Sequence, residues 1–206
     1  MIAIIDYDIG NLAAVANMLH RVGAEAVVTS DASVIGVADR IILPGNGHFD
    51  ACMRGLNASG LRSVIERRVL EDAIPMLGIC VGAQMLGRSS QEGAEHGLGW
   101  VDLEVRRFPV QPNLRVPHMG WNHVTPAAKA VDHPLLVGLD GDARFYFVHS
   151  YYLHPDSTDW SLLDAHYGVD FSAGVVRGNI AGVQFHPEKS HRFGKVLLGN
   201  FASWTV

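Results

Sequence analysis

The sequence predicts an α/β domain with a mostly parallel central sheet flanked by helices and an antiparallel extension in the second half. Short apolar runs alternate with stretches of helical periodicity through the first half of the chain. This alternation is typical of a parallel sheet covered by helices on both faces. In the second half, prolines and aromatic residues mark short extended segments instead. The chain length of 206 residues favours a single domain over residues 1–206.

The first half begins with an apolar strand, Ile2–Asp6, that ends in a carboxylate. Asn11–Val22 carries apolar residues at helical spacing, and Gly23 is a typical helix stop. Short β-branched or apolar runs then alternate with further helical stretches. The remaining strands of this half are predicted at Ala26–Thr29, Arg40–Leu43 and Ile74–Ile79, and the remaining helices at Leu61–Leu70 and Val81–Leu86.

The second half is predicted to be mainly antiparallel. Its prolines break Gly97–Thr125 into short extended pieces. Two runs rich in β-branched and aromatic residues, Phe171–Arg177 and Ile180–Phe185, flank Gly178-Asn179, a dipeptide that favours a tight hairpin turn. The other elements predicted here are a strand over Arg144–Leu153 and a closing helix over His191–Ala202.

Composition excludes several classes of protein. Hydrophobic residues make up 48% and charged residues 18% of the chain, so a buried core is expected and disorder is not. The net charge of -5 provides no basic surface, so neither nucleic acid nor membrane is expected as a partner. Asp6 comes too early for a signal peptide, and no apolar run reaches the length of a membrane span. We therefore expect a cytoplasmic protein.

The chain contains two cysteines, Cys52 and Cys80, which do not resemble a secreted disulfide framework. Cys52 falls in a short predicted helix without a His-x-Glu pair of its own, and we expect it to pack in the core. No histidine lies at zinc-ligand spacing from a cysteine, and no nucleotide fingerprint is present, so neither a metal nor another cofactor is expected.

Cys80 lies in the most informative segment of the chain. A predicted strand enters Gly78-Ile79-Cys80-Val81-Gly82 and a helix follows, as in the nucleophile elbow of Gly-x-Ser-x-Gly enzymes. The start of a helix favours thiolate over thiol, and the N–H of Val81 is placed to donate to an oxyanion. By itself the motif leaves open whether Cys80 is a nucleophile or a buried structural thiol.

A second motif, His186-Pro187-Glu188, decides between these readings. In an extended stretch, residues two apart point to the same side, so Glu188 is expected to hold one imidazole nitrogen of His186. The other nitrogen can then take the proton of a thiol. Together with Cys80, this predicts a nucleophile, base and orienting carboxylate.

These two motifs resemble the class I, triad-type glutamine amidotransferases, which carry Gly-x-Cys-x-Gly-x-Gln and a later His-Pro-Glu. Further stretches resemble, within that class, the glutaminase subunits of imidazole glycerol phosphate synthase from histidine biosynthesis. The resemblance spans nearly the whole chain. The stretches that carry it are Ile4–Leu12, Gly78–Gln84, Pro117–Asn122, Phe145–Tyr152 and Gly182–Ser190.

The resemblance implies hydrolysis of glutamine to glutamate and ammonia through a thioester on Cys80. It also implies a separate (β/α)₈-barrel cyclase as partner, which uses the ammonia to make imidazole glycerol phosphate and aminoimidazole carboxamide ribonucleotide. The implied oxyanion donors are Val81 and an amide of the Asn46–Gly47 loop, and our candidates for the partner interface are Trp121 and Asn122. Residues implied to bind glutamine are Gly47, Gln84, His149, Ser150 and Tyr151.

One loop departs from the family pattern. Where relatives usually have Pro-Gly-Val-Gly, this chain has Pro44-Gly45-Asn46-Gly47. Asparagine adopts left-handed backbone conformations more readily than valine. We therefore hypothesise that this loop changes its peptide orientation more easily than in a typical relative.

Three alternatives remain open from the residues. The chain could be a glutaminase that serves another synthase, such as one of the pyridoxal or purine pathways. It could be a cysteine peptidase or amidase, which would need a cleft for peptides. It could also be a catalytically silent glutaminase-like regulatory partner, although the complete Cys80, His186 and Glu188 set argues against that reading.

Overall fold

Five strands form the parallel part of the central sheet in the computed structural model, which describes residues 1–205. Apolar, β-branched residues dominate these strands, as expected where both faces of a sheet are buried. The strands are β1 (Ile2–Ile5), β2 (Ala26–Thr29), β3 (Arg40–Gly45), β4 (Met76–Cys80) and β13 (Ile180–Val183). Their spatial order is β2-β1-β3-β4-β13, with neighbours parallel.

The antiparallel extension continues from β13. Strand β12 (Asp170–Arg177) pairs with β13 across the Gly178-Asn179 turn, and β10 (Tyr151–Pro155) follows in the sheet, so the predicted hairpin is confirmed. A separate two-stranded antiparallel sheet is formed by β7 (His118–His123) and β9 (Arg144–His149). The remaining strands of the extension are β5 (Ser89–Ser90), β6 (Leu103–Arg107), β8 (Thr125–Pro126) and β11 (Ser161–His166).

The helices around this sheet are α1 (Leu12–Arg21), α2 (Ala32–Ile35), α3 (Phe49–Ala58), α4 (Arg62–Glu66), α5 (Val81–Gln84) and α6 (His191–Ser203). They pack in pairs: α1 with α6, α2 with α4, and α3 with α5. The predicted fold class, a mostly parallel sheet with helices and an antiparallel extension, is confirmed. None of the helices in the described part of the chain is long and apolar enough to cross a membrane.

Two local predictions were wrong in part. The predicted strand Arg144–Leu153 is broken at Ser150, which separates β9 from β10 and places them in different sheets. The carbonyl of Ser150 accepts from the N–H of Phe108 at 3.1 Å, so the break is held in place. The predicted helix Leu61–Leu70 exists but changes from α-helix to a wider π-helical turn at Arg67–Glu71.

Candidate active site

Three adjacent parallel strands end at the candidate site. Strand β3 leads into the Asn46–Gly47 loop, β4 ends in Cys80, and β13 leads to His186. Strand β4 lies between the other two, and Gly45 is paired directly with Cys80. Because carboxyl ends of parallel strands meet at one sheet edge, this topology brings all three predicted parts together.

Cys80 has the strained backbone of a nucleophile elbow. Its φ is 55° and its ψ is −113°, a positive-φ conformation that residues other than glycine rarely adopt. The surrounding glycines make this turn possible. A Cβ on Gly82 would overlap the carbonyl oxygen of Leu43, and one on Gly78 would lie 2.7 Å from the carbonyl oxygen of Gly82. The predicted elbow is therefore present, with the thiol almost buried.

The helix after Cys80 is shorter than predicted. It spans Val81–Gln84 instead of Val81–Leu86, because Leu86 N–H bonds the Ala83 carbonyl in a tighter turn. A single turn provides little macrodipole, since that field sums over many aligned peptides. The charge partner that the structure places at Cys80 is therefore His186 rather than a long helix.

His186 and Glu188 form the predicted pair by a different local route. The imidazole Nδ1 lies 2.9 Å from Oε1 of Glu188, and both side chains are almost fully buried. However, Pro187–Lys189 is a 3₁₀ turn, so the predicted extended stretch is wrong. Proline at the first turn position favours this turn because its φ is already fixed near the helical value. Ser190 Oγ closes the turn by donating to the His186 carbonyl at 2.6 Å.

The second imidazole nitrogen of His186 faces the thiol. Nε2 is buried and has no hydrogen-bond partner within residues 1–205. Burial by itself lowers the pKa of His186, but the interactions with Cys80 and Glu188 outweigh burial and raise this pKa to about 9. The arrangement therefore favours an imidazolium on His186 beside Cys80 at neutral pH.

The titration of His186 checks this pairing. His186 is fully protonated at its ordinary pKa of 6.5 and loses this proton as the pH rises through about 9. In Cys80→Ala the thiolate is gone while burial remains, so the pKa of His186 is expected to fall. A histidine nitrogen NMR titration measures the shift, and Cys52→Ala is the matched control in which it should stay raised. A His186 titration unaffected by Cys80→Ala would contradict the pairing.

The loop after β3 is held from beneath. Tyr7, buried under the loop, donates its hydroxyl to the Pro44 carbonyl at 2.6 Å, and the Cys52 thiol lies 3.4 Å from the Asn46 carbonyl. Burial raises the pKa of both Tyr7 and Cys52, which keeps these donors protonated. Cys52 is fully buried as expected, but it also anchors the candidate oxyanion loop, a role that the sequence did not suggest.

Our hypothesis assumed that Asn46 can adopt a left-handed backbone conformation, but Asn46 does not have a positive φ. The residue with a positive φ in this loop is Gly47, at 86°. Instead, the Asn46 side-chain Oδ1 accepts from the Gly47 N–H at 3.0 Å. A valine could not make this bond. The Gly47 N–H is therefore already bonded to the Asn46 side chain. That the loop changes its peptide orientation stays a prediction.

A small cavity of about 50 Å³ lies beside Cys80. It contains all five residues expected from the resemblance to bind glutamine, together with two that the sequence analysis missed, Glu92 and Val148. Glu92 belongs to no motif, and its carboxylate is fixed by the Phe49 N–H at 2.8 Å. The lining residues are Asn46, Gly47, Cys80, Val81, Gln84, Glu92, Val148, His149, Ser150 and Tyr151.

The two interface candidates lie in different environments. Trp121 is 46% exposed and stacks on His191 with ring centroids 5.5 Å apart. Asn122 is committed within the chain: its Nδ2 donates to the His166 carbonyl at 2.9 Å and its Oδ1 accepts from the His123 N–H at 2.9 Å. Trp121 is thus the more available of the two for a partner.

Other cavities lie away from this chemistry. The largest cavity among those found, about 590 Å³, is lined by residues of β7, β8 and β10–β12 and by none of the candidate catalytic residues. Within residues 1–205, no group of three or more His, Cys, Asp or Glu side chains is arranged to hold a metal ion.

The chain is similar to known proteins over nearly its whole length. The family model of class I glutamine amidotransferases matches residues 3–203. The imidazole glycerol phosphate synthase subunit HisH 2 of Pseudomonas aeruginosa is 50% identical over 201 residues, covering 98% of each chain. Subunit HisH of Bdellovibrio bacteriovorus is 50% identical over 205 residues, covering 98% of this chain and 99% of that one.

A solved structure of PurLQS from Thermotoga maritima aligns over 98% of this chain and 94% of that one, with a TM-score of 0.70 and 18% identity. At that identity the likeness concerns the fold alone. Fold and site together define an α/β enzyme class in which a thiol at a strand-to-helix elbow faces a His–Glu pair. More particularly, the chain belongs to the class I glutamine amidotransferase family.

Proposed function

We propose that this protein is the glutaminase subunit of imidazole glycerol phosphate synthase. It hydrolyses glutamine and passes the ammonia to a separate cyclase in histidine biosynthesis. The observation that carries the proposal is the buried His186–Glu188 pair facing the strained Cys80 elbow, in a chain that matches subunits of that synthase along almost its whole length. The expected compartment is the cytoplasm, where a free thiol nucleophile persists.

The proposed chemistry is acyl transfer. The Cys80 thiolate attacks the side-chain amide carbon of glutamine, and the carbonyl electrons move onto oxygen. The imidazolium of His186 protonates the amide nitrogen, the C–N bond breaks, and ammonia leaves a thioester behind. Neutral His186 then takes a proton from water as the water oxygen attacks the thioester. The C–S bond breaks, glutamate is released, and the thiolate–imidazolium pair is restored.

Two backbone donors stabilise the oxyanions of both steps in this proposal. Val81 N–H follows directly after the nucleophile, and a second N–H comes from the Asn46–Gly47 loop across the cavity. One such donor is typically worth ~3 kcal/mol in the transition state. Gly47, Gln84, His149, Ser150 and Tyr151 hold the glutamine molecule. The small size of the cavity disfavours the peptidase alternative, which needs room for a peptide chain.

Ammonia sets the requirement for a partner. In neutral water most of it would be protonated and non-nucleophilic, so a sheltered route to the second reaction is required. We propose a separate (β/α)₈-barrel cyclase on the face that carries Trp121. A cleft of about 450 Å³ there is lined by Trp121, Arg144, His191 and Arg192, among others, which provides an exposed aromatic anchor with cationic neighbours.

The direct test is glutamate release from glutamine, measured with the protein alone, with the barrel cyclase, and with the cyclase and its nucleotide ligand. We expect release that increases with partner and ligand. Release stimulated by the synthase of a pyridoxal or purine pathway instead would favour that alternative. The absence of release in every arrangement would overturn the enzyme assignment and favour the silent regulatory partner.

Asn46→Ala is expected to raise the partner-free glutaminase rate about three- to tenfold. The side chain occupies the Gly47 N–H at 3.0 Å, and a net hydrogen bond is worth about 1 kcal/mol. Ser157→Ala is the matched control, because it removes a similar side-chain acceptor from the Asp159 N–H in an exposed turn. An unchanged or lower rate would show that Asn46 does not restrain this donor.

A further inference from the structure

A chain of buried hydrogen bonds runs along the wall of the glutamine cavity. The carbonyl oxygen of Tyr151 lies 2.8 Å from Nδ1 of His149 and 3.2 Å from Nε2 of Gln84. Beyond them, Nε2 of His149 lies 2.9 Å from Nδ1 of His118, and Nε2 of Gln84 lies 3.1 Å from Oε1 of Gln184. These five residues come from β7, β9, β10, α5 and the segment after β13.

The donor and acceptor roles of the two histidines follow from the chemistry of the Tyr151 carbonyl group. A carbonyl oxygen only accepts, so Nδ1 of His149 donates to Tyr151. In a neutral ring, Nε2 of His149 then accepts, and Nδ1 of His118 donates to it. Burial lowers the pKa of His118 to about 4, and burial together with nearby His118 and His186 lowers that of His149 to about 3. Both rings are therefore neutral at neutral pH.

The amide half is fixed by the same carbonyl. Because Tyr151 accepts, the NH₂ group of Gln84 spans Tyr151 and Oε1 of Gln184, and the Gln84 Oε1 points away from both. That oxygen is buried and has no hydrogen-bond partner within residues 1–205. Gln84 is only 3% exposed and lines the cavity, and Gln184 is fully buried. Buried acceptors are normally paired, so a ligand in the cavity can supply the missing donor.

We propose that Gln184 and His118 are positioning residues for glutamine. Through the Tyr151 carbonyl and the Gln84 amide, they orient Gln84 so that its free Oε1 accepts a hydrogen bond from the α-ammonium group of the substrate. Neither residue touches the reacting atoms. The inference rests on the proposed function and adds to it the groups that select an α-amino acid.

The experiment compares glutamine with glutaramate, which keeps the carboxylate and the side-chain amide but lacks the α-amino group. Both substrates are measured with the cyclase and its nucleotide present. Gln184→Met keeps the side-chain size but removes the acceptor. Because a hydrogen bond to a charged group is strong, we expect about a tenfold rise in KM for glutamine. The kcat for glutamine should change less than about twofold, and so should the KM for glutaramate. Glu92 also lines the cavity, and its carboxylate can attract the α-ammonium group too. The preference for glutamine over glutaramate should therefore decrease but not disappear.

Matched variants separate positioning from folding. Gln184→Glu keeps an acceptor and should bring the KM for glutamine to within about threefold of the native value. His118→Asn keeps a donor near the Nδ1 position, whereas His118→Leu removes it, so Leu should raise the KM for glutamine and Asn should not. The His118 variants carry the same test if Gln184→Met fails to fold.

Equal losses for the two substrates, or a loss confined to kcat, would overturn the proposal. So would variants that retain the full native preference for glutamine over glutaramate. A native protein that hydrolyses neither substrate under any condition would instead overturn the proposed function, which keeps the two failures distinct.

Discussion

Cys80→Ala is expected to abolish the glutamine-dependent activity of the complex while the reaction with free ammonia continues. Alanine has no nucleophilic side chain, so the thioester does not form. In the proposed division of labour, the ammonia-dependent reaction takes place on the partner, so it should not need Cys80. The measurement compares formation of imidazole glycerol phosphate from glutamine and from an ammonium salt at high pH, with the variant in excess over the cyclase.

Cys52→Ala is the control for this prediction, because it removes the other free thiol and leaves the elbow intact. It should retain glutamine-dependent synthesis, with a decrease of no more than about tenfold from the loss of one hydrogen bond to the Asn46 carbonyl. Loss of both activities in Cys80→Ala would contradict the division of labour between glutaminase and cyclase. Retention of glutamine-dependent activity would remove Cys80 from the mechanism.

Glu188→Gln is expected to lower kcat by about 10²- to 10⁴-fold with little change in KM. The same carboxylate-to-amide change in a serine-protease triad costs about 10⁴-fold. Here the carboxylate lies 2.9 Å from Nδ1 of His186 and is almost fully buried, so its charge is poorly screened. Glutamine fills the same space but does not stabilise the imidazolium, and the pKa of His186 should fall with kcat.

The control is Glu66→Gln, which removes a carboxylate from a partly exposed ion pair with Arg62 on α4. Pairs of this kind contribute little, so the control should keep full activity. Turnover of Glu188→Gln within about threefold of the native rate would show that the carboxylate does not support His186.

Much of the fold could be predicted from the sequence because the signals were local. The apolar run at Ile2–Ile5, the helical spacing in Leu12–Arg21 and the Gly178-Asn179 turn each specify their own conformation. The break at Ser150 was not predictable. It arises because β9 pairs in one sheet and β10 in another. No residue in this aromatic, β-branched run indicates where the strand ends.

The candidate catalytic residues could likewise be proposed from the sequence. Gly-x-Cys-x-Gly and His-Pro-Glu are short motifs whose residues each have a chemical role in nucleophilic catalysis. The supporting residues could not be proposed in this way. Tyr7 and Cys52 lie far along the chain from Cys80 and meet the oxyanion loop only through tertiary packing. Glu92 and Gln184 join the site through single contacts that have no fixed spacing. Sequence reasoning thus proposed the reacting groups, while the structure was needed to find the residues that contact them.

Covalent trapping shows whether Cys80 is a nucleophile that His186 activates. The protein is treated with one equivalent of a chloroketone analogue of glutamine, and the adduct is located by peptide mass spectrometry. We expect one adduct, on Cys80, that forms more slowly when glutamine competes and is nearly lost in His186→Ala. An adduct on Cys52, or labelling of Cys80 that is independent of both glutamine and His186, would contradict this role of Cys80.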